Sequence, residues 1–231
     1  MKAARVAVVL GAGRGIGAAS ARSLAAKGHH VVIVARTRTE VDSVVRQILD
    51  DGGSARGIEA DLSDDADYER VIESISSTEP GINALVVCAG WARLGASDEV
   101  PWYELETMLR LHLVLPYRAT ASLRPLLAKR SGRVIVIGSR AGRSPQPHAV
   151  AYGTSKAAVA YLVRSLSGDL KADKISVCAI NPGAVDTRLR RDAMGPAASS
   201  GVSPESVAEV VSLVAGLENP ELTGTVIDLP W

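Results

Sequence analysis

Short apolar segments alternate along the chain with longer segments of helical periodicity. Runs rich in Val, Ile and Ala predict six β-strands, at residues 5–10, 31–35, 84–88, 133–137, 175–180 and 224–229, and a weaker run at 54–60 is a seventh candidate. Apolar residues spaced three and four apart predict helices between them, at residues 16–27, 40–50, 65–76, 102–129, 151–171 and 204–217. Strand and helix therefore alternate throughout the sequence.

This alternation predicts the fold class. Continuously apolar strands are typical of a parallel sheet buried on both faces, which needs helices above and below it. We therefore expect an α/β protein with a doubly wound, seven-stranded parallel sheet and helices on both faces. No repeat or low-complexity linker divides the chain, so a single domain is expected over residues 1–231. Residues 187–203 are the most loop-like internal segment, and they follow the sixth strand, where such sheets place ligand-covering loops.

Charge and composition argue against several classes of partner. The 26 basic residues nearly cancel the 25 acidic ones and leave a net charge of +1, so no overall attraction to nucleic acid or to an anionic membrane is expected. With 3% aromatic residues and no Phe, platforms for base stacking are not expected either. Cys88 and Cys178 are too few for a disulfide framework or a zinc site, which favours a reduced, cytoplasmic protein without a metal.

Glycines cluster directly after the first predicted strand. Residues 11–17 read GAGRGIG and open the first predicted helix. Glycines permit a tight turn and a close backbone approach, and the free amides of a helix N-terminus attract a pyrophosphate. A tight strand-to-helix turn without a ligand is the alternative interpretation. The position between strand and helix favours a dinucleotide-binding loop, and with it a Rossmann fold.

The end of the second predicted strand indicates which dinucleotide binds. Ala35 stands where an acidic residue would accept hydrogen bonds from the adenosine 2′-hydroxyl, and Arg36 follows it. A guanidinium binds phosphate oxygens with charge assistance, so Arg36, with Arg14 and Arg38 nearby, favours NADP(H). A solvated surface arginine is the alternative for each of them.

A second group of residues suggests acid–base chemistry. Tyr152 and Lys156 are four residues apart in a predicted helix and so share one face of it. We expect the Lys156 ammonium near the Tyr152 phenol to lower the pKa of the tyrosine and make it a usable proton donor or acceptor. Ser139 follows the strand at 133–137, at the edge of the sheet where ligands bind, and its hydroxyl could orient a substrate carbonyl.

In this order, the motifs resemble the short-chain dehydrogenase/reductase family over essentially the whole chain, and in particular its NADP(H)-preferring 3-oxoacyl and carbonyl reductases. The resemblance implies that Ser139, Tyr152 and Lys156 are catalytic. It places Asp61 at the adenine edge and Thr187 at the nicotinamide carboxamide. The cofactor site that it implies consists of Gly11, Arg14, Gly15, Ile16, Gly17, Arg36, Asp61, Leu62, Ala89, Gly90, Tyr152, Lys156, Pro182, Gly183, Val185 and Thr187.

The sequence departs from the family pattern at three places. Leu10 replaces the threonine of the glycine loop, and Val87 and Cys88 replace two asparagines after the fourth strand. His112 aligns with the fourth catalytic residue, an asparagine. The histidine could preserve a proton relay and add a group that titrates near neutral pH. A histidine packed between helices without a chemical part is the alternative.

The resemblance implies reversible hydride transfer between NADP(H) and a small-molecule carbonyl or alcohol, and a homodimer or homotetramer. A 3-oxoacyl thioester and a small ketone are both plausible substrates. Loop residues that flank the motifs are the candidates for facing the substrate: Trp91, Arg93, Arg140, Pro147, His148, Val185 and Met194.

Two other functions remain as alternatives. A serine hydrolase is disfavoured because Ser139 lies in Gly-Ser-Arg-Ala-Gly, which is not a Gly-x-Ser-x-Gly elbow. A non-catalytic NADP-sensing protein would keep the glycine loop and Arg36 but would not need Ser139, Tyr152 and Lys156.

Overall fold

A computed structural model describes residues 5–195, 198, 201–217 and 222–231 of the chain. Its central feature is one seven-stranded, all-parallel sheet with the strand order β3-β2-β1-β4-β5-β6-β7. The strands are β1 (Arg5–Leu10), β2 (His29–Ala35), β3 (Ser54–Glu59), β4 (Ala84–Val87), β5 (Arg133–Ile137), β6 (Ser176–Asn181) and β7 (Thr225–Asp228). The predicted doubly wound sheet is confirmed.

Helices connect the strands. They are α1 (Gly15–Ala26), α2 (Arg38–Asp50), α3 (Asp65–Thr78), α4 (Trp102–Leu109), α5 (Leu115–Ala128), α6 (Val150–Asp169), α7 (Arg188–Met194) and α8 (Pro204–Gly216). Short 3₁₀ turns lie at Arg140–Gly142 and Lys171–Asp173. Within the described part of the chain, no helix combines the length and the apolar character needed to cross a membrane.

Two differences from the sequence-based expectation matter for the site. The predicted helix at 102–129 is interrupted by a π-helical turn, Arg110–Val114, between α4 and α5. The expectation of a loop over residues 187–203 is wrong for the first part of the segment, which forms α7. This helix begins after Thr187, whose hydroxyl accepts a hydrogen bond from the Arg190 amide at 3.3 Å. Residues 196, 197, 199 and 200 of that segment lie outside the described residues.

The sheet is buried on both faces, which explains why its strands are apolar at successive positions. In β1, Val6, Val8 and Leu10 pack into one core, and Ala7 and Val9 pack into the other. The first core is closed by α3, α5 and α6, and the second by α1, α2 and α8. Apart from Tyr68 and Cys178, aliphatic side chains fill both layers, which fits a chain without Phe.

The strand order reverses next to β1, which pairs with β2 on one side and with β4 on the other. Connections from the two strands leave in opposite directions at such a point and open a crevice at the carboxyl ends of the strands. The loops after β1, β4, β5 and β6 therefore converge on one edge of the sheet. The glycine loop, Ser139, Tyr152 and Lys156 lie in these loops or in the helices that follow them, whereas Arg36 and Asp61 follow β2 and β3.

Candidate active site

A cleft of ≈ 840 Å³ opens at the carboxyl edge of the sheet. All of the residues predicted to bind the cofactor or to act in catalysis line this one cleft, although they come from distant parts of the sequence. Of the seven residues predicted to face the substrate, Arg140, Val185 and Met194 also line it. The other four do not. Arg93, for example, lies 3.6 Å from the Glu104 carboxylate.

The glycine loop is shaped by close backbone contacts. Gly11 has φ of 85°, and a Cβ on it would lie 2.4 Å from the Ala89 nitrogen. A Cβ on Gly17 would lie 2.1 Å from the Gly11 carbonyl oxygen. No side chain caps the N-terminus of α1, its first turn holds no acidic residue, and Gly15, Ile16 and Gly17 at this end of the helix line the cleft. These features fit the pyrophosphate of a dinucleotide.

The arginines near the adenosine end of the cleft differ in their contacts. Arg36 is exposed and lines the cleft, and no ion pair to it is found among the described residues. Arg14, which was expected to help Arg36 bind the 2′-phosphate, instead forms an ion pair with the Glu40 carboxylate at 3.3 Å. Arg38 pairs with Asp42 at 2.9 Å and points along α2. Sequence reasoning missed Glu40, which reads as one more polar position on an amphipathic helix.

Tyr152 lies in the first turn of α6 and is half-buried at the cleft. Burial raises the pKa of its phenol, and a hydrogen bond with the Ser139 side chain only partly opposes that rise. The expectation that Lys156 would lower this pKa is wrong for this structure. The Lys156 ammonium lies 6.0 Å from the centre of the Tyr152 ring and is directed elsewhere.

Lys156 projects from α6 towards the end of β5. Its Nζ atom donates a hydrogen bond to the Ile137 carbonyl oxygen at 2.9 Å. The side chain is buried, and this burial lowers the pKa of Lys156 to about 8. The i and i+4 spacing in the sequence predicted a shared helix face correctly, but the partner of the ammonium is a strand carbonyl, which the spacing could not reveal.

His112 lies in the π-helical turn and is 2% exposed. Its Nδ1 atom is 2.9 Å from the Ser155 hydroxyl, and its Nε2 atom accepts a hydrogen bond from the Trp91 amide at 3.4 Å. Burial holds the pKa of this imidazole well below its usual range, and the charge of Lys156 lowers it further. The expectation of a group that titrates near neutral pH is therefore wrong, because the ring stays neutral there.

Ser139 follows β5 at the rim of the cleft, and its hydroxyl also accepts a hydrogen bond from the Ala141 amide at 3.2 Å. The Gly138 amide before it donates a hydrogen bond to the Ile180 carbonyl oxygen at 2.8 Å, and Asn181 packs so closely that a Cβ on Gly138 would lie 1.9 Å from its Oδ1 atom. Asn181 in turn donates to Asp228 at 3.0 Å, and Asp228 also pairs with Arg143. The end of β7 thus braces the segment that carries Ser139. Pairwise sequence spacing gives no signal for this contact.

Two further predicted residues have partners of their own. The Asp61 carboxylate accepts hydrogen bonds from the amide and the hydroxyl of Ser63, at 2.9 and 2.6 Å. Thr187 faces the glycine loop across the cleft, because a Cβ on Gly15 would lie 3.3 Å from its methyl carbon. The Thr187 hydroxyl caps α7, so it would contact a bound cofactor and cap this helix at the same time.

Cys88 lies where the family pattern has an asparagine. Cys88 is half-buried and lines the cleft, and desolvation raises the pKa of its thiol to about 12, so the thiol remains protonated and is no nucleophile. Both cysteines are free, and β5 separates the segments that carry them. Among the described residues, no three His, Cys, Asp or Glu side chains come together as a metal site would require.

Comparisons with known proteins agree with this arrangement. A sequence model described as short chain dehydrogenase matches residues 5–195. The short-chain reductase protein NovJ of Streptomyces niveus is 33% identical, with 96% of this chain and 91% of that protein covered. A rhamnolipids biosynthesis 3-oxoacyl-acyl-carrier-protein reductase of Pseudomonas aeruginosa is 33% identical, with 98% and 95% covered. The solved structure of a short chain dehydrogenase from Burkholderia cenocepacia in complex with NADP matches with a TM-score of 0.88 at 28% identity, covering 97% of this chain and 96% of that one.

Proposed function

The chain belongs to the short-chain dehydrogenase family, and from that premise we propose that it is an NADP(H)-dependent oxidoreductase that acts on a small carbonyl or alcohol. The observation that carries this proposal is the convergence of Ser139, Tyr152 and Lys156 with the glycine loop and Arg36 in one cleft. A cofactor-sensing protein would need only the last two features.

The glycine loop and the uncapped start of α1 would hold the pyrophosphate, and the exposed Arg36 guanidinium would bind a 2′-phosphate. The solved Burkholderia cenocepacia relative carries NADP, which supports the same choice here. The nicotinamide supplies or accepts the hydride when the dinucleotide is bound.

Tyr152 is proposed to transfer the proton to the substrate oxygen. Because burial raises the pKa of its phenol, the hydroxyl keeps its proton at neutral pH and can donate it to a substrate oxygen as a general acid. Ser139, which already hydrogen-bonds to Tyr152, would hold that same oxygen. Lys156 is proposed to bind the ribose next to the nicotinamide by exchanging the Ile137 carbonyl for a sugar hydroxyl. His112 acts by fixing the position of α6 rather than by transferring a proton.

We propose a 3-oxoacyl thioester or a small ketone as the substrate. The cleft that holds Ser139 and Tyr152 is also lined by Leu94, Leu111 and Met194, which are apolar, and by Arg190. An acyl chain or a compact ketone would fit this lining. The Pseudomonas aeruginosa relative is named as a 3-oxoacyl reductase, which supports the first of the two.

A homodimer or homotetramer in the cytoplasm is proposed as the working form. Large apolar side chains are exposed on α4, α5 and α6, including Trp102 at 72% and Tyr161 at 76%. Such side chains on neighbouring helices are typical of a surface covered by another subunit. Sedimentation or light scattering would measure the mass directly.

The test is NADPH oxidation by the wild-type chain and by Tyr152→Phe, with diketones, small aldehydes, quinones and 3-oxoacyl thioesters as substrates. We expect turnover by the wild type and its loss in Tyr152→Phe, while NADPH binding, measured by the change in nicotinamide fluorescence, is retained. Turnover that survives in Tyr152→Phe would overturn the role of the tyrosine. NADPH binding without turnover of any carbonyl compound would favour cofactor sensing.

A further inference from the structure

A carboxylate lies in the adenosine end of the cleft, where a site for NADP(H) should be basic. Glu40 extends from the first turn of α2, and one of its oxygens pairs with Arg14 at 3.3 Å. Its side chain is 29% exposed and lines the same cleft as Arg36. A negative charge therefore stands among the groups proposed to bind a phosphate.

The second oxygen of this carboxylate faces the end of β2. A Cβ on Gly13 would lie 2.8 Å from Glu40 Oε2 and 3.0 Å from the Ala35 Cβ. Glu40 thus places a carboxylate next to Ala35, the position at which an acidic side chain would accept hydrogen bonds from a ribose 2′-hydroxyl. The acid missing from the end of the strand is supplied five residues later, from the helix.

We propose that Glu40 is a specificity-determining residue that weakens the preference for the 2′-phosphorylated dinucleotide and retains affinity for NADH. It engages Arg14 and repels the 2′-phosphate, whereas it can accept a hydrogen bond from an unmodified 2′-hydroxyl. This inference rests on the proposed cofactor, and it concerns the balance between two cofactors rather than the reaction. Arg36 and Glu40 then favour opposite cofactors at one site.

Calorimetric titration of Glu40→Gln tests the inference without any turnover. The probes are adenosine 2′,5′-bisphosphate and adenosine 5′-monophosphate, followed by NADPH and NADH. Asp50→Asn is the matched control, because it removes one negative charge from the same helix about 15 Å from Glu40.

In Glu40→Gln we expect the bisphosphate and NADPH to bind about five- to tenfold more tightly at low salt, while the monophosphate and NADH bind equally or more weakly. The gain should shrink as the ionic strength rises from about 0.02 to 0.5 M, since the Debye length shortens. Asp50→Asn should leave the ratio of the two affinities unchanged.

An unchanged ratio of NADPH to NADH affinity in Glu40→Gln would overturn the inference, and so would an equal change in Asp50→Asn. Either result leaves the proposed function intact if the wild type binds NADPH. A wild-type chain that binds neither dinucleotide would overturn the proposed function, and the inference with it.

Discussion

The hydroxyl of Ser155 joins His112 to the backbone of Tyr152. It lies 2.9 Å from the His112 Nδ1 atom and donates a hydrogen bond to the Tyr152 carbonyl oxygen at 2.7 Å. Because Nε2 of the same ring accepts from the Trp91 amide, the hydrogen bonds assign the proton to Nδ1. The π-helical turn is thereby tied to the first turn of α6, and His112 is a positioning residue for Tyr152.

Replacing His112 by asparagine tests whether the ring titrates during turnover. Burial holds its pKa well below the usual value of 6.5, so the ring is neutral at pH 7. The pH profile of kcat should therefore keep its shape in His112→Asn, even if kcat falls because α6 is less well held. Loss of a limb of the profile near pH 6.5 would contradict the positioning role.

The same group should affect stability in acid. A base with a lowered pKa stays unprotonated in the folded state while the unfolded chain takes up the proton, so its contribution to stability is present above pH 6.5 and is lost as the pH falls below it. Urea unfolding at pH 5, 6 and 7 should show a smaller loss of stability in His112→Asn than in the wild type.

Replacing Lys156 by methionine should stabilise the protein at neutral pH. Burial lowers the pKa of this lysine from 10.5 to about 8, so below pH 8 the folded chain carries a buried charge that unfolding would release to water. We expect Lys156→Met to gain on the order of 1 to 3 kcal/mol at pH 7, partly offset by the lost hydrogen bond to Ile137.

The sign of the pH dependence follows from the same shift. Between pH 8 and 10.5 the unfolded chain binds the proton and the folded chain does not, so the wild type recovers its stability as the pH rises. Urea unfolding should show the two chains converging over this range. Lys171→Met is the control for loss of one exposed positive charge, and a constant difference between wild type and Lys156→Met from pH 7 to 10 would refute the expected burial effect.

Replacing Arg36 by alanine should distinguish NADPH from NADH. The exposed guanidinium contributes to binding only if a phosphate is present on the 2′ position, so NADPH should bind about tenfold or more weakly and NADH within about twofold of the wild type. Arg38→Ala is a matched control, since that side chain pairs with Asp42. Equal losses for both dinucleotides would count against NADP(H) as the preferred cofactor.

Adding one methyl group at Gly17 should disturb the glycine loop. A Cβ there would lie 2.1 Å from the Gly11 carbonyl oxygen, so the loop must shift, at a cost of about 1 to 3 kcal/mol in the free energy of unfolding. We expect weaker dinucleotide binding as well as a lower Tm. Gly168→Ala is the control, because nothing lies within 4 Å of that Cβ and alanine favours a helix. Unchanged binding in Gly17→Ala would mean that the loop is not the phosphate site.

Local patterns in the sequence were enough to predict the parallel sheet and most of the residues that line the cleft. The bounds of β1 and β5 agree with the apolar runs residue for residue, because both strands are buried on each face and end where the chain turns. The motif residues converge because the carboxyl ends of parallel strands meet at one edge. The glycine loop and the Tyr152 segment follow from this topology.

Other features depend on contacts that no local pattern encodes. The π-helical turn adds one residue to a helix without changing its composition, so periodicity alone predicted one continuous helix at 102–129. The raised pKa of Tyr152 follows from burial of its phenol in the folded chain, which helix spacing does not reveal. Glu40 and Asp228 act through partners from other elements, Arg14 for one and Asn181 and Arg143 for the other.

The π-helical turn has a consequence for the long helix as a whole. Each residue of an α-helix advances by about 100° around the axis, so one extra residue rotates everything that follows by that angle. Leu115, Ala119 and Leu123 are now buried against the sheet. Without the extra residue, a helix that directs His112 at Ser155 would turn these three side chains away from the sheet. Deleting one residue within Arg110–Val114 would therefore break either the contact of His112 with Ser155 or the packing of α5 in the core. The π-helical turn rotates α5 relative to α4, so that His112 contacts Ser155 while the apolar face of α5 stays packed in the core.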